Sequence, residues 1–137
     1  MIINFGSINI DHVYRVPHFV APGETLSSTA YSKGLGGKGF NQSIALFRAG
    51  APVRHVGCIG ADDARAGAWL HTQLSQLQLD LSGIQSVDTA TGHALIQVND
   101  EGENCILLYA GANHSLSEAQ IDAELSHATA EWVLLQN

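Results

Sequence analysis

The chain has 137 residues, 45% of them hydrophobic, with 14 Gly and a formal net charge of -7 from 6 Lys+Arg against 13 Asp+Glu. That length fits one domain. The acidic balance argues against nucleic acid and against an anionic membrane surface, because both recruit clustered basic side chains. No run approaches the ~18 consecutive apolar residues of a membrane span.

In chain order, Ile2 to Ile10 is apolar and β-branched, and polarity rises at Asp11 and His12. This predicts a buried strand whose carboxyl end emerges at a site. The same segment lacks a basic n-region and a small-residue cleavage site, so a reducing, cytoplasmic setting is expected. Cys58 and Cys105 then read as buried free thiols, and the formal sequons at Asn41 and Asn113 as chance matches. Pro17, Pro22 and Gly23 mark a loop, and Glu24 to Lys33, rich in Thr, Ser and Tyr, reads as a half-exposed strand.

Phe40, Ile44 and Phe47 recur at helical spacing, and Gly50 with Pro52 closes that helix. Val53 to Ile59 is a short apolar strand. A second helix is expected after Asp62 and Asp63, with Leu70, Leu74 and Leu77 in register. Thr91 to Asn99 alternates, with Ala94, Ile96 and Val98 on one face, and a turn at 100–103 leads into Asn104 to Tyr109, which together predict a hairpin. Ser117 and Gln120 suit a capping box for a third helix whose face holds Ile121, Leu125 and Ala128. The pattern predicts a layered α/β body carrying a small separate sheet.

The cluster "GLGGKGFNQS", Gly34 to Ser43, satisfies Gly-x-Gly-x-x-Gly literally. A dinucleotide fold requires a buried strand just before those glycines and an acid at the end of the next strand. Here the preceding "TLSSTAYSKG" is polar, and the next strand ends at Ile59-Gly60 before any acid. A triphosphate loop requires Ser or Thr after Gly37-Lys38, where Gly39 stands. Two readings stay open. One is a helix amino terminus whose bare backbone admits a polar or anionic ligand, with Asn41 able to donate and accept and Asp11 able to take two hydroxyl hydrogens. The other is a tight turn with Asp11 capping backbone. The seven histidines show no HExxH spacing and no Gly-x-Ser-x-Gly elbow exists, so His12, His55, His71 and His127 read as surface or packing residues, and Trp69 and Trp132 as core or interface aromatics.

Three blocks, "GSINIDHVYRVPHFVAPGET", "GGKGFNQSIALFRAGAPVRHVGCIG" and "TGHALIQVNDEGENCILLYAGAN", resemble the amino-terminal half of the PfkB carbohydrate kinase family, and within it the ribokinases. Gly39, Asn41, Ser43, Gly50 and Gly60 fall at the intervals of that family's first signature; "GADDARAG" departs as longer than its usual Gly-Asp-containing turn. The resemblance implies a ribokinase-like α/β body, partial over residues 1–137, with a β-sheet lid built from strands near 24–33, 91–99 and 104–109.

It further implies that Asn9 and Asp11 bind sugar hydroxyls, that Gly36, Gly37 and Asn41 contact the sugar from the glycine turn, that Ala94 and Ile106 press on it as a lid, and that Lys38 lies near the transferred phosphate. The implied reaction takes D-ribose and ATP to ribose 5-phosphate and ADP, with Mg2+ and a monovalent cation such as K+, in a homodimer joined through the lid. By the same resemblance the catalytic base and the ATP pocket lie beyond Asn137, so this chain alone is expected to be inactive. The alternative is a non-catalytic remnant that binds sugar or mediates dimerisation.

Overall fold

The computed structural model describes residues 1–61, 66–127 and 129–136, without the side chains of 66–68 and 127. Two sheets organise it. The body sheet is all parallel in the order β5-β4-β1-β8, from β1 (Ile2–Phe5), β4 (Val53–Gly60), β5 (Asp80–Val87) and β8 (Trp132–Leu135). The second sheet runs β3-β2-β6-β7, from β2 (Asn9–Arg15), β3 (Ala30–Gly36), β6 (Gly92–Val98) and β7 (Asn104–Tyr109); β2 pairs parallel with β6 and antiparallel with β3, and β6 pairs antiparallel with β7.

Alternation along the body strands builds two cores. Ile8, Val53 and Ile59 pack with Phe40 of α1 (Lys38–Arg48) and with Leu70 and Leu74 of α2 (Ala66–Ser75). Ile3, Phe5 and Val56 pack with Ile121 of α3 (Glu118–His127). Ile2 of β1 packs on the first core and its neighbour Ile3 belongs to the second, so the strand serves opposite sides of one sheet, which gives three layers. Burying a side chain as large as Phe40 contributes roughly 1.5–3 kcal/mol relative to exposure.

Four details differ from the sequence-based expectation. The apolar run Ile2 to Ile10 is not one strand. It breaks at Gly6 and Ser7, where Gly6 donates to the Val56 carbonyl (3.1 Å), and the chain leaves the body to start the second sheet as β2. The polar strand spans Ala30–Gly36 rather than 24–33, because β2 offers Asn9 to Arg15 as its antiparallel partner and so draws Gly34 and Gly36 into the ladder. Leu77 follows the end of α2 but still packs on its core. Cys58 is buried as expected, whereas Cys105 is exposed, since β7 is an edge strand with both faces open.

The hairpin forms as expected: Asn99 Oδ1 accepts from the Glu101 and Glu103 amides (3.1 and 2.9 Å) and fixes the turn. At α3 the Ser117 Oγ accepts from the Gln120 amide (3.2 Å), which is half of a capping box. The Gln120 side chain turns inward instead, donating to the Gly83 carbonyl (3.2 Å). Asp62, Asp63 and Ala128 lie outside the described residues, as does the side chain of His127.

Candidate functional site

An open cavity of about 880 Å³ lies where the carboxyl ends of β1 and β4, the start of α1 and the inner face of the second sheet meet. Asn9, Asp11, Gly37, Lys38, Asn41, Ala94 and Ile106 all line it. Strand register explains the arrangement on the sheet side. Asp11 stands opposite Gly34 on one side and Ala94 on the other, and Ala94 stands opposite Leu108. The next inward row holds Val13, Ile96 and Ile106. A single carboxylate therefore projects from an otherwise apolar ceiling, and it is the one acid among the described lining residues.

Gly36 does not line the cavity. A Cβ there would run into the Asp11 carboxylate, so this glycine makes the space in which Asp11 lies. Gly37 caps α1 with φ 97°, in the left-handed region, and a Cβ on it would run into the Ser7 carbonyl and approach the Asn9 nitrogen to 3.0 Å. Both glycines thus serve the protein's own packing. Gly6 and Gly39 meet in the same way, backbone against backbone. These contacts seat the first turn of α1 on the turn between β1 and β2. The Phe40 amide donates to the Ser7 carbonyl (3.0 Å), and Lys38 and Asn41 are left exposed at the cavity rim.

Burial pushes the Asp11 carboxyl above its usual range, and neighbouring His12 partly offsets this. Asn9 is buried, and its Oδ1 accepts from Asn113 Nδ2 (2.8 Å). Behind the glycine turn lies a buried polar chain. Asn4 Nδ2 donates to the Gly39 carbonyl and to Ser43 Oγ (2.8 Å each), Ser43 Oγ pairs with His55 Nδ1 (2.8 Å), and His55 Nε2 pairs with the Gly6 carbonyl (3.1 Å). A carbonyl can only accept, so His55 carries its proton on Nε2 and Ser43 donates to Nδ1. Burial drives the His55 pKa down to about 4.

Sequence reasoning missed Asn113, Asn4 and Ser43 as parts of this assembly, and gave His55 no connection to it. The signal was a polar residue inside an apolar strand, Asn4 in "IINF" and His55 in "VRHVGCIG", and an Asn just past the carboxyl end of a hairpin strand.

The model of the pfkB family of carbohydrate kinases matches residues 1–135. The chain belongs to this family. It is 42% identical over 133 residues to the ribokinase of Haemophilus influenzae, covering 96% of this chain and 43% of that protein. The pfkB fold is shared with the crystal structure of Thermotoga maritima ribokinase (TM-score 0.86, 36% identity, 99% of this chain and 44% of that one). It is shared also with Arabidopsis thaliana ribokinase complexed with ribose and ATP (TM-score 0.80, 28% identity, 99% of this chain and 45% of that one). The chain spans less than half the length of these pfkB relatives. The family and these likenesses bear out the expected partial ribokinase-like α/β body, in which the second sheet takes the place of the lid.

Proposed function

We propose that this chain supplies the sugar site and lid of an ATP-dependent carbohydrate kinase, with D-ribose the substrate that receives the phosphoryl group to give ribose 5-phosphate and ADP. The observation that carries this reading is the convergence of Asp11, Asn9, Asn41 and Lys38 on one cavity roofed by Ala94 and Ile106. Asp11 accepts from sugar hydroxyls, and the amides of Asn9 and Asn41 supply donors. The apolar roof covers the ring carbons and sheds water. Gly36 and Gly37 shape the site by placing Asp11 and the start of α1.

In the reaction the sugar hydroxyl oxygen attacks the γ-phosphorus, the bond to the ADP oxygen breaks, and the hydroxyl proton passes to a base. Lys38, at the amino terminus of α1, stands where charge builds on the transferred group; its ammonium and the helix dipole both favour that charge. The base and the adenine site are assigned to the part of the relatives' length that this chain does not span. Mg2+ and a monovalent cation are expected from the family. Among the described residues no group of three or more His, Cys, Asp or Glu converges.

A cytoplasmic location is part of this proposal, since ATP is the proposed phosphoryl donor; separately, among the described residues no helix is long and apolar enough to cross a membrane. The coverage of relatives favours a second reading for the isolated 137 residues, a sugar-binding or dimerising unit without turnover.

Titration and turnover test both. The natural full-length protein should bind D-ribose and release ADP only when ribose is present, while the purified 137-residue chain should release none. Absence of pentose binding by the full-length protein overturns the sugar assignment, and turnover by the isolated chain overturns the second reading.

A further inference from the structure

The polarity of the Asn9 carboxamide is set by a chain of contacts that begins at a backbone amide. Ile8 N–H donates to Asn113 Oδ1 (2.9 Å). A backbone amide can only donate, so the Asn113 atom facing it must be oxygen, and the atom facing Asn9 must be the Asn113 nitrogen. That nitrogen lies 2.8 Å from Asn9, which must therefore present its Oδ1. With Oδ1 held by Asn113, the Asn9 Nδ2 points the other way; it has no protein partner among the described residues, and Asn9 lines the cavity.

Asn113 is itself held. It follows β7 in the 3-10 turn Gly111–Ser115, where Ala112 donates to the Ala90 carbonyl (2.9 Å) and Asn113 to the Ala110 carbonyl (3.1 Å). The close pairing requires Gly92, opposite Asn9 on β6, because a Cβ there would run into both Asn113 Nδ2 and Asn9 Oδ1.

We infer that Asn113 is a positioning residue: it locks Asn9 with its nitrogen toward the cavity, so that Asn9 can only donate while Asp11, two residues along the same face, can only accept. Resting on the sugar-site reading above, this makes the site select a ligand that offers an acceptor oxygen at Asn9 beside a hydroxyl hydrogen for Asp11. A group that accepts only, such as fluorine in place of one hydroxyl, is tolerated at Asn9 and rejected at Asp11. Because Asn113 follows the last lid strand, the lid exit and the polarity of the site are one unit.

The test uses the natural full-length protein labelled with 15N-asparagine. Without ligand, the Asn113 side-chain amide protons should exchange slowly with solvent and those of Asn9 rapidly; adding D-ribose should shift the Asn9 signals. In Asn113→Asp the introduced carboxylate accepts from Ile8 and now also from Asn9 Nδ2, which reverses the Asn9 amide. Its protons should become protected and stop responding to ribose. Ribose affinity should fall by about tenfold, and the singly fluorinated ribose that the wild type tolerates should lose more. Asn113→Ala, which leaves the Asn9 amide free to rotate, should lose less. Slow exchange of the Asn9 amide in the ligand-free wild type overturns the inference, as does parallel loss of both sugars in step with stability. Should Asn113→Asp not fold, the wild-type exchange pattern and the fluorosugar ratio of Asn113→Ala decide. If the wild type binds no pentose, the sugar reading falls, and the exchange pattern alone still decides the orientation of Asn9.

Discussion

At the scale of single residues, His55 shows how a buried polar group can serve a site it does not touch. Its Nε2–H fixes the Gly6 carbonyl, and its Nδ1 receives Ser43, which in turn is held by Asn4. The chain ties β1, α1 and β4 together behind the glycine turn. Among the described residues Asn4 Oδ1 is buried without a partner, and the amide cannot turn over to relieve it, since that would set an oxygen against the Gly39 carbonyl. This is a standing cost of about 1–3 kcal/mol. The network works only with neutral imidazole. The folded His55 pKa of about 4 lies below its ordinary 6.5, so the unfolded chain binds a proton first as pH falls. The stabilising contribution is complete above pH 6.5, declines between 6.5 and 4, and is gone below, with a ceiling of about 3 kcal/mol. Urea unfolding at pH 7 and pH 4.5 should show wild type losing more stability than His55→Gln. The difference between the two proteins isolates His55, because Asp11 and Asp80, also shifted, titrate alike in both. Equal losses would remove this account.

At the scale of elements, β2 and β3 decide the site. The hairpin β6–β7 was legible because alternation and a turn sequence are local signals. The departure of β2 was not: Gly6 and Ser7 sit between two apolar runs, and only the tertiary partners, Val56 for one run and Gly92 with Gly36 for the other, separate them. Local pattern singles out Asp11 and Asn41 and leaves the glycines between ligand contact and tight turn, whereas the roles of Asn9, Lys38, Ala94 and Ile106 come only from the family resemblance. What neither revealed is that Gly36 yields its space to Asp11, a contact 25 positions distant in sequence. This gives a paired expectation. Gly36→Ala should displace the Asp11 carboxylate, which is a mobile side-chain end, and so weaken ribose binding nearly as much as Asp11→Ala while the fold stays intact; loss of a charged hydrogen-bond acceptor costs about 1.5–3 kcal/mol. Gly37→Ala meets fixed backbone at a positive φ and should instead lower the melting temperature. Isothermal titration and circular dichroism separate the two, and ribose affinity unchanged in Gly36→Ala would refute the role given to that glycine.

At the scale of the molecule, two apolar surfaces lie open. One runs along β8, where Trp132 is 71% exposed and Leu135 73%. The other is the outer face of the second sheet, where Leu107 (69% exposed) stands opposite Leu95, and Tyr31 opposite Tyr14. A four-stranded sheet with its inner face on a ligand cavity has no layer of its own to cover the outer one. The exposed rows cross β3, β2, β6 and β7 without a charged residue other than Lys33, whose ammonium sits 4.3 Å over the Trp69 ring instead of at the centre of the face. His12, His93 and Gln97 share those rows, and such a mixed face of apolar and uncharged polar residues favours a partner surface of the same kind. The lid is therefore expected to join two copies in the natural full-length protein, giving a dimer at micromolar concentration by sedimentation. Leu107→Asp places a charge at the middle of that face and points away from the cavity, so it should yield monomers that still bind ribose when ligand is saturating. A strict monomer in the wild type removes the lid contact altogether, and so does a dimer that survives Leu107→Asp.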